Sequence, residues 1–256
     1  MKQKNSHSKQ TDNDVQPISF ISNRDYLTKD HDSCPISTAK TLPKWYKDAD
    51  LYIVDPKTQK PWTNPQNGGK IPTWKACPAL LDAMTTGYVL RTPCDIEFVD
   101  NGSRIVANIL DRRCADFIDE RGPMPDFVTP MGYDDNHFAW FVNWGTKVPK
   151  GYSAIYTQPF NRFDLPFLST SGIIDNDKVN MPGLLPFFIF KGWTGLVPAG
   201  TPYMQVIPFK REDWKSDIVI EEERKLAKKN FLNWSKYRSK DGGVYKNSVW
   251  QRRYYR

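Results

Sequence analysis

Proline is spread along most of this chain, and that feature limits the folds open to it. The sequence holds 20 prolines and 15 glycines in 256 residues, with prolines from Pro17 to Pro208. Proline removes a backbone donor and clashes inside a helix, and glycine weakens a helix, so a helical bundle is disfavoured. Many short strands joined by turns are favoured instead. Since 39% of the residues are hydrophobic and 14% are aromatic, such strands can build a sizeable core.

The segment between Gly87 and Phe209 carries the strand pattern most clearly. The stretch "GYVLRTPCDIEFVDNGSRIVANI" predicts a strand, a second strand over residues 96–99, a hairpin turn at residues 100–102, and a third strand. Just before it, "CPALLDAMTTG" predicts a short helix that ends at Gly87. Later stretches such as "HFAWFVNW" and "YSAIYTQPF" repeat the strand pattern. We therefore expect an all-β body, either a sandwich or a barrel.

Composition divides the chain into four parts. We expect a polar, disordered arm over residues 1–16, an irregular extension over 17–75, a core over 76–214, and a basic helix with a tail over 215–256. The arm lacks the apolar stretch of a secretory signal, and no run of about 18 apolar residues could span a membrane. These features predict no membrane contact and a location in the cytoplasm or in a virion. The extension is expected to pack four aromatic side chains onto the core, namely Trp45, Tyr46, Trp62 and Trp74.

Positive charge is concentrated at the C-terminal end. Residues 221–256 hold eleven Lys and Arg against four Asp and Glu, and this difference (11 − 4) equals the whole net charge of +7. Aromatic residues alternate with these charges, so one hypothesis is that the tail binds nucleic acid through stacking and phosphate contacts. The other is that the aromatic rings dock on a neighbouring subunit while the charges face solvent. The candidate contact residues are Lys228, Lys229, Trp234, Trp250, Arg252 and Arg253.

Four motifs, in order, cover about half of the chain. They are "MTTGYVLRTPCDIEFVDNG", "VPKGYSAIYTQPFNR", "TSGIIDNDK" and "LVPAGTPYMQVIPF". Together they resemble the motifs of trimeric dUTPases and dCTP deaminases, in which the third motif forms a hairpin. The resemblance implies a β-clip fold and a homo-oligomer, a trimer in that family. The chain as a whole is also similar to a family of proteins from tailed phages and bacteria.

The resemblance to dUTPases also implies a set of site residues. Asp175 matches the aspartate that activates water, Gln205 matches a glutamine of the closing strand, and Arg162 falls in the phosphate-binding turn. Other positions depart from the family pattern, because Val89 replaces an aspartate and Lys178 replaces the tyrosine of the uracil pocket. The Ser-Gly pair that would cradle a phosphate is missing as well. Mg²⁺ is therefore expected only if the chain is a nucleotide hydrolase.

Other chemistry is less favoured by the sequence. The four cysteines, at positions 34, 77, 94 and 114, form no CxxC pair, so we expect free buried thiols in a reducing compartment. Asp134, Asp135 and His137 form one possible metal cluster. No phosphate-binding loop, dinucleotide fingerprint or nucleophile elbow occurs.

Three functional hypotheses follow from these observations. The first is a non-enzymatic structural or assembly protein of a phage virion that contacts copies of itself and other virion proteins and needs no cofactor. The second is a nucleotide-binding protein or dUTPase-like hydrolase, with Asp175 as its catalytic residue and Arg162 and Gln205 on the nucleotide, in a site that combines residues across subunits. The third is a nucleic-acid-binding protein that acts through its tail. For Asp175 a purely structural role stays open, because Asp and Asn close tight turns without any chemistry.

Overall fold

Short antiparallel strands make up most of the regular structure. The computed structural model describes residues 16–66, 68–180, 183–218, 225–229, 232, 250, 251 and 253–255. The strands are β1 (Ser19–Ile21), β2 (Ile36–Ser37), β3 (Tyr88–Arg91), β4 (Ile96–Asp100), β5 (Ile105–Ile109), β6 (Ile118–Pro123), β7 (Tyr133–Phe141), β8 (Gly145–Lys147), β9 (Tyr152–Thr157), β10 (Phe167–Ser169), β11 (Gly172–Ile174), β12 (Leu184–Phe190), β13 (Gly195–Val197) and β14 (Pro202–Lys210). The two labelled α-helices are α1 (Lys44–Asp48) and α2 (Pro78–Thr85). This composition confirms the prediction of a β-rich body.

The strands form several antiparallel sheets. A five-stranded sheet has the order β11-β9-β14-β3-β2, and a four-stranded sheet has the order β10-β12-β7-β6. A smaller sheet follows the order β13-β4-β5, and β1 pairs with β8. Each pairing among these described strands is antiparallel. Strands β1 and β2 come from the N-terminal extension, so part of that extension is built into the same sheets as the core.

The helix predicted before Gly87 is present as α2, and Gly87 ends it for a steric reason. Gly87 has a φ of 72°, which side-chain-bearing residues rarely adopt. A Cβ atom there would lie 2.2 Å from the carbonyl oxygen of Val206. Close contact between the helix end and β14 therefore requires glycine at this position.

The predicted hairpin between β4 and β5 is also present. The two strands pair in register from Ile96 opposite Ile109 to Asp100 opposite Ile105. In the connecting turn, the Asp100 carboxylate accepts the N–H of Gly102 at 2.8 Å. Short-range side-chain bonds of this kind close the turn, as the sequence predicts.

A stack of aromatic rings fills the space between the two larger sheets. The Trp140 ring lies 3.7 Å from the Phe187 ring with an angle of 8° between their planes. The Trp140 indole N–H donates to Ser169 Oγ at 2.9 Å, and Ser169 Oγ donates to the carbonyl oxygen of Tyr203 at 2.7 Å. Tyr203 lies on β14, whereas the other three residues lie on the four-stranded sheet. The hydrogen bonds therefore join the two sheets inside the core.

The aromatic residues of the N-terminal extension only partly follow the prediction. Tyr46 is buried, and the Trp45 indole N–H donates to Asp164 Oδ1 at 3.2 Å. Trp62 and Trp74, in contrast, are 48% and 65% exposed. Trp74 meets the core only at the surface, where its ring lies 6.1 Å from that of Phe163. Trp62 lies in a segment joined by isolated β-bridges, where its backbone N–H donates to the carbonyl of Ile53. The Trp62 ring on this segment faces outward. The predicted polar arm lies outside the described residues except for Gln16.

We predict that Ser169→Ala destabilises the fold by about 2 kcal/mol, because it leaves the indole N–H of Trp140 and the carbonyl of Tyr203 unpaired in the core. Urea unfolding of the two chains measures the difference. Ser216→Ala is the control, since Ser216 is exposed and lies outside the core. If both variants unfold at the same urea concentration, the hydrogen bonds of Ser169 contribute nothing measurable to the free energy of unfolding.

All four cysteines are free, but only two are buried. Cys94 and Cys114 lie in the core, and burial raises the pKa of Cys94 to about 12. Cys77 is exposed and Cys34 is partly exposed. The expectation of buried thiols is therefore confirmed for Cys94 and Cys114 and is wrong for Cys77.

We predict that an aromatic disulfide reagent labels Cys77 in the native protein and spares Cys94 and Cys114 until the chain is unfolded. The thiolate is the reactive form, and the Cys94 thiol, whose pKa is raised, is neutral at pH 8. Cys114 is shielded from the reagent by its burial. Mass spectrometry of labelled peptides identifies the modified positions. Labelling of Cys114 at the rate of Cys77 in the native protein would contradict the buried position.

Candidate functional site

Asp175 lies in a turn after β11 and is held by a hydroxyl and two cations. Its Oδ1 atom accepts a hydrogen bond from Ser153 Oγ at 2.7 Å and lies 3.2 Å from Nη1 of Arg211. Lys178 Nζ lies 3.5 Å from its other oxygen. The Ser153 hydroxyl and these positive charges lower the pKa of Asp175. The carboxylate is therefore ionised and already paired within its own chain.

The neighbouring carboxylate of Asp177 is tied more tightly. Asp177 accepts the backbone N–H of Gly151 at 2.8 Å and forms a two-point ion pair with the Arg211 guanidinium. Its side chain is only 5% exposed. The Arg211 bonds, with that of Gly151, hold the pKa of Asp177 well below its usual range. Arg211 also donates to the carbonyl of Tyr152 at 2.8 Å, so one guanidinium joins the turn to the start of β9.

The segment "STSGIIDNDK" does not form the hairpin that the resemblance implied. Strand β10 pairs with β12, whereas β11 pairs with β9, and no described strand after the turn pairs with β11. The turn itself is present, because the backbone N–H groups of Lys178 and Val179 donate to the Asp175 carbonyl at 2.9 Å and 3.0 Å. The two aspartates are thus positioned by distant partners rather than by the backbone of a hairpin.

Gln205 is fully buried on β14, and its amide serves the fold. Its Oε1 atom accepts the N–H of Phe160 at 2.8 Å. Its Nε2 atom donates to the carbonyls of Ala83 and Thr86, at 3.0 Å and 2.6 Å. Both donors of the amide are used, so the end of α2 and the loop after β9 are fixed to β14.

Arg162 forms a two-point ion pair with Asp164, with both N–O distances at 2.8 Å. Only 13% of the Arg162 side chain is exposed. Burial raises the pKa of Asp164, but the hydrogen bonds and charge of Arg162 outweigh it, with Trp45 adding a further bond, so the net shift is downward. The pair lies at the margin of an open cleft of about 460 Å³ that is lined further by Leu165, Pro166, Trp193 and residues 196–202.

The structure brings two of the three nucleotide-site candidates together. Arg162 and Gln205 line the same small cavity of about 10 Å³. Asp175 lies elsewhere, because it bonds to Ser153 near the start of β9, whereas Gln205 pairs with Thr157 at the end of that strand. Four residues of a strand span about 13 Å at roughly 3.3 Å per residue. Within one chain these side chains therefore do not converge on one ligand.

The candidate contact residues of the tail are only partly described. Lys228 and Lys229 lie on an exposed helical segment, residues 225–229, which agrees with the helix predicted there. Trp234 and Arg252 lie outside the described residues. Trp250 is partly buried and Arg253 is exposed, and both approach α2.

The end of the tail docks on the body of its own chain. The Trp250 indole N–H donates to Asp82 Oδ2 at 2.8 Å, and Arg253 Nη1 lies 3.9 Å from the same oxygen. The Tyr255 ring meets the Tyr88 ring edge to face, with 5.8 Å between centroids. Docking on a neighbouring subunit is one of the two hypotheses that the sequence leaves open for the tail, and the structure places these contacts within the chain. No local pattern marks Asp82 as the receiving carboxylate, since its partner is 168 residues away.

The alternative metal cluster has a different explanation. The His137 side chain is buried, and its Nδ1 atom lies 2.6 Å from the carbonyl oxygen of Gly122. The Asp134 carboxylate accepts the N–H of Asn136 at 3.0 Å, a local turn bond. Among the described residues no group of three His, Cys, Asp or Glu side chains is arranged to hold a metal ion.

Within the same part of the chain, none of the helices has the length and apolar character needed to span a membrane.

Comparison of the sequence with models of protein families finds no match, and comparison with curated proteins finds none either.

Arg211 is the site residue that sequence reasoning missed. Its only signal is a basic side chain directly after the closing strand, in "PFKRED", with no spacing that links it to "DND".

We predict that Asp177→Asn lowers the free energy of unfolding at pH 7 and that this difference shrinks as the pH falls below about 4. The folded-state pKa of Asp177 lies below the unfolded value of about 3.9, so its stabilising contribution is present above that value and is lost as pH falls through the folded pKa. Urea unfolding at pH 7, 5 and 3 measures the change. Asp30→Asn, in an exposed turn, is the control. An Asp177→Asn effect that is equal at pH 7 and pH 3 would argue against the ion pair.

Proposed function

We propose that this protein is a non-enzymatic structural subunit, an assembly component of a phage particle, built on a β-clip core like that of dUTPases. The four motifs that resemble dUTPases support the proposed core. Their segments include β3, β9, β11 and β14, and all four strands belong to the five-stranded sheet. A homo-oligomer, with a trimer as the family's usual form, follows from the same proposal, together with contacts to other virion proteins.

The observation that carries the assembly role is a cluster of apolar side chains in the loop between β6 and β7. Phe127, Val128 and Met131 are 72%, 94% and 98% exposed. Three large apolar groups within five residues are unfavourable in water unless another surface covers them. Interfaces between subunits place such groups at their centre. The exposed Trp74 and Phe163 rings, 6.1 Å apart, offer a second surface of the same kind.

The internal pairing of the nucleotide-site candidates also favours an assembly role over catalysis. A hydrolase needs a carboxylate that is available to a water molecule and cations that are available to phosphates. Here Asp175 is paired with Ser153, Arg211 and Lys178, and Arg162 is paired with Asp164. A triphosphate would have to displace these partners before it could bind.

We predict that the protein is a homo-oligomer in solution and that Phe127→Ser combined with Met131→Ser weakens the association by tenfold or more. Burying two such side chains contributes about 3 kcal/mol or more, which is the physical basis of the effect. Sedimentation velocity over a concentration series measures it. Val179→Ser is the matched control, since Val179 is also exposed, at 51%, but lies outside the loop. A monomer at all concentrations would overturn the proposed role.

The same protein tests the hydrolase hypothesis through thermal unfolding. With Mg²⁺ and dUTP, dCTP or their diphosphates at about 1 mM, we expect no change in Tm. A ligand that bound the folded state at 100 times its Kd would add about 2.7 kcal/mol of stability. A rise in Tm that Asp175→Ala abolishes would favour the hydrolase instead.

A further inference from the structure

The end of α2 and the start of β3 form a small acidic and aromatic surface. It consists of Asp82, Thr86 and Tyr88, which we call the α2–β3 surface. Asp82 provides a carboxylate that is 19% exposed, and Tyr88 provides a ring. The chain returns to this surface at its C-terminal end, through Trp250 and Tyr255.

Side-chain contacts join the described residues of the C-terminal segment to this surface. The Trp250 indole N–H donates to the Asp82 carboxylate at 2.8 Å, a charge-assisted hydrogen bond. Burial raises the pKa of Tyr255. Its ring stands at 83° to the Tyr88 ring. Arg253 adds positive charge 3.9 Å from Asp82. The segment is therefore recognised through a Trp-x-x-Arg-x-Tyr spacing.

The α2–β3 surface is held in place by contacts that do not involve the C-terminal segment. The Gln205 amide donates to the carbonyls of Ala83 and Thr86, which fixes the last turn of α2. Tyr88 belongs to β3, which pairs with β14. The Phe20 ring packs edge to face on Tyr88 at 5.3 Å. A surface that is already ordered before binding loses little conformational freedom when a peptide docks.

We propose that the α2–β3 surface is a peptide-recognition site for aromatic and basic segments, filled in this chain by Trp250, Arg253 and Tyr255. The covalent connection favours the internal segment over any segment in solution, because binding within one chain does not depend on concentration. The site accepts the same segment from outside once the internal one is weakened. This inference is independent of the assembly role, since it concerns a different part of the molecule.

The test uses the full chain with Trp250→Ala and Tyr255→Ala, which weakens the internal segment. A fluorescent peptide of residues 249–256 is titrated into this variant at 0.15 M salt, and anisotropy reports binding. We expect saturable binding, with a Kd at least tenfold lower than for the unmodified chain, whose own segment competes. Adding Asp82→Asn to the variant is expected to weaken binding by about tenfold or more, because the indole loses a charged acceptor.

Two controls separate recognition from charge attraction. A peptide of the same composition in scrambled order keeps the charge but loses the Trp-x-x-Arg-x-Tyr spacing, and Asp30→Asn removes a carboxylate from an exposed turn instead of from α2. A peptide with its Trp replaced by Ala tests the indole contact without any change to the protein, so folding of a variant is not at issue. Equal binding of the scrambled peptide, or no saturable binding to a folded variant at 1 mM peptide, would overturn the proposal.

Discussion

The buried hydrogen-bond chain from Trp140 through Ser169 to Tyr203 fixes how the two larger sheets face each other. Aromatic packing alone allows rings to slide, because dispersion attraction has little direction. The indole N–H of Trp140 and the carbonyl of Tyr203 must each find a partner inside the core, and Ser169 Oγ serves both. This requirement defines one relative position of the sheets. The stacking of Trp140 on Phe187 at 3.7 Å then fills the remaining space.

Strand β14 connects the packing of the two larger sheets to the two candidate regions. At its middle, Gln205 bonds to the end of α2 and to the loop that leads to Arg162. Just after its end, Arg211 holds Asp175 and Asp177. Each region therefore has polar groups that look like a binding site in the sequence and that are satisfied by the fold. The same residue types that hold a phosphate or a metal also hold loops together, and only the partner shows which role applies.

Elements that depend on local chemistry could be predicted from the sequence. The β4–β5 hairpin follows from Asp100 and Gly102, whose effects act within a few residues. The end of α2 follows from the positive φ of Gly87, which is also local, whereas its close contact with Val206 is not. The partner of β11 could not be predicted, because Asp175 is fixed by Ser153, 22 residues away. The exposure of Trp74 was missed for a related reason. Aromatic residues are buried on average, but only the fold decides which of them meets a neighbour.

The burial of Gln205 is a second feature that the sequence pattern could not predict. In "PYMQVIPF" it stands between Met204 and Val206, and alternation along a half-buried strand would place it on the opposite face from both. All three side chains are buried here, because β14 is an inner strand covered on both faces. The glutamine is compatible with such a site only because three backbone groups bond to its amide. The family resemblance assigns Gln205 to a ligand contact. Its hydrogen bonds within the fold are sufficient to explain a glutamine at this position.

The two ends of the basic tail are anchored at carboxylates of the same body. The chain leaves β14 at Arg211, which is paired with Asp177, and returns at Trp250, which is bonded to Asp82. Because β14 and β3 are neighbours in one sheet, both anchors belong to one structural unit. Each of these two contacts depends on a carboxylate that the sheet itself positions, because Asp177 accepts the N–H of Gly151 and Asp82 lies in α2, whose end is held by Gln205. The residues on either side of the charged stretch are therefore placed by the same strand, β14, through Arg211 at one side and Gln205 at the other.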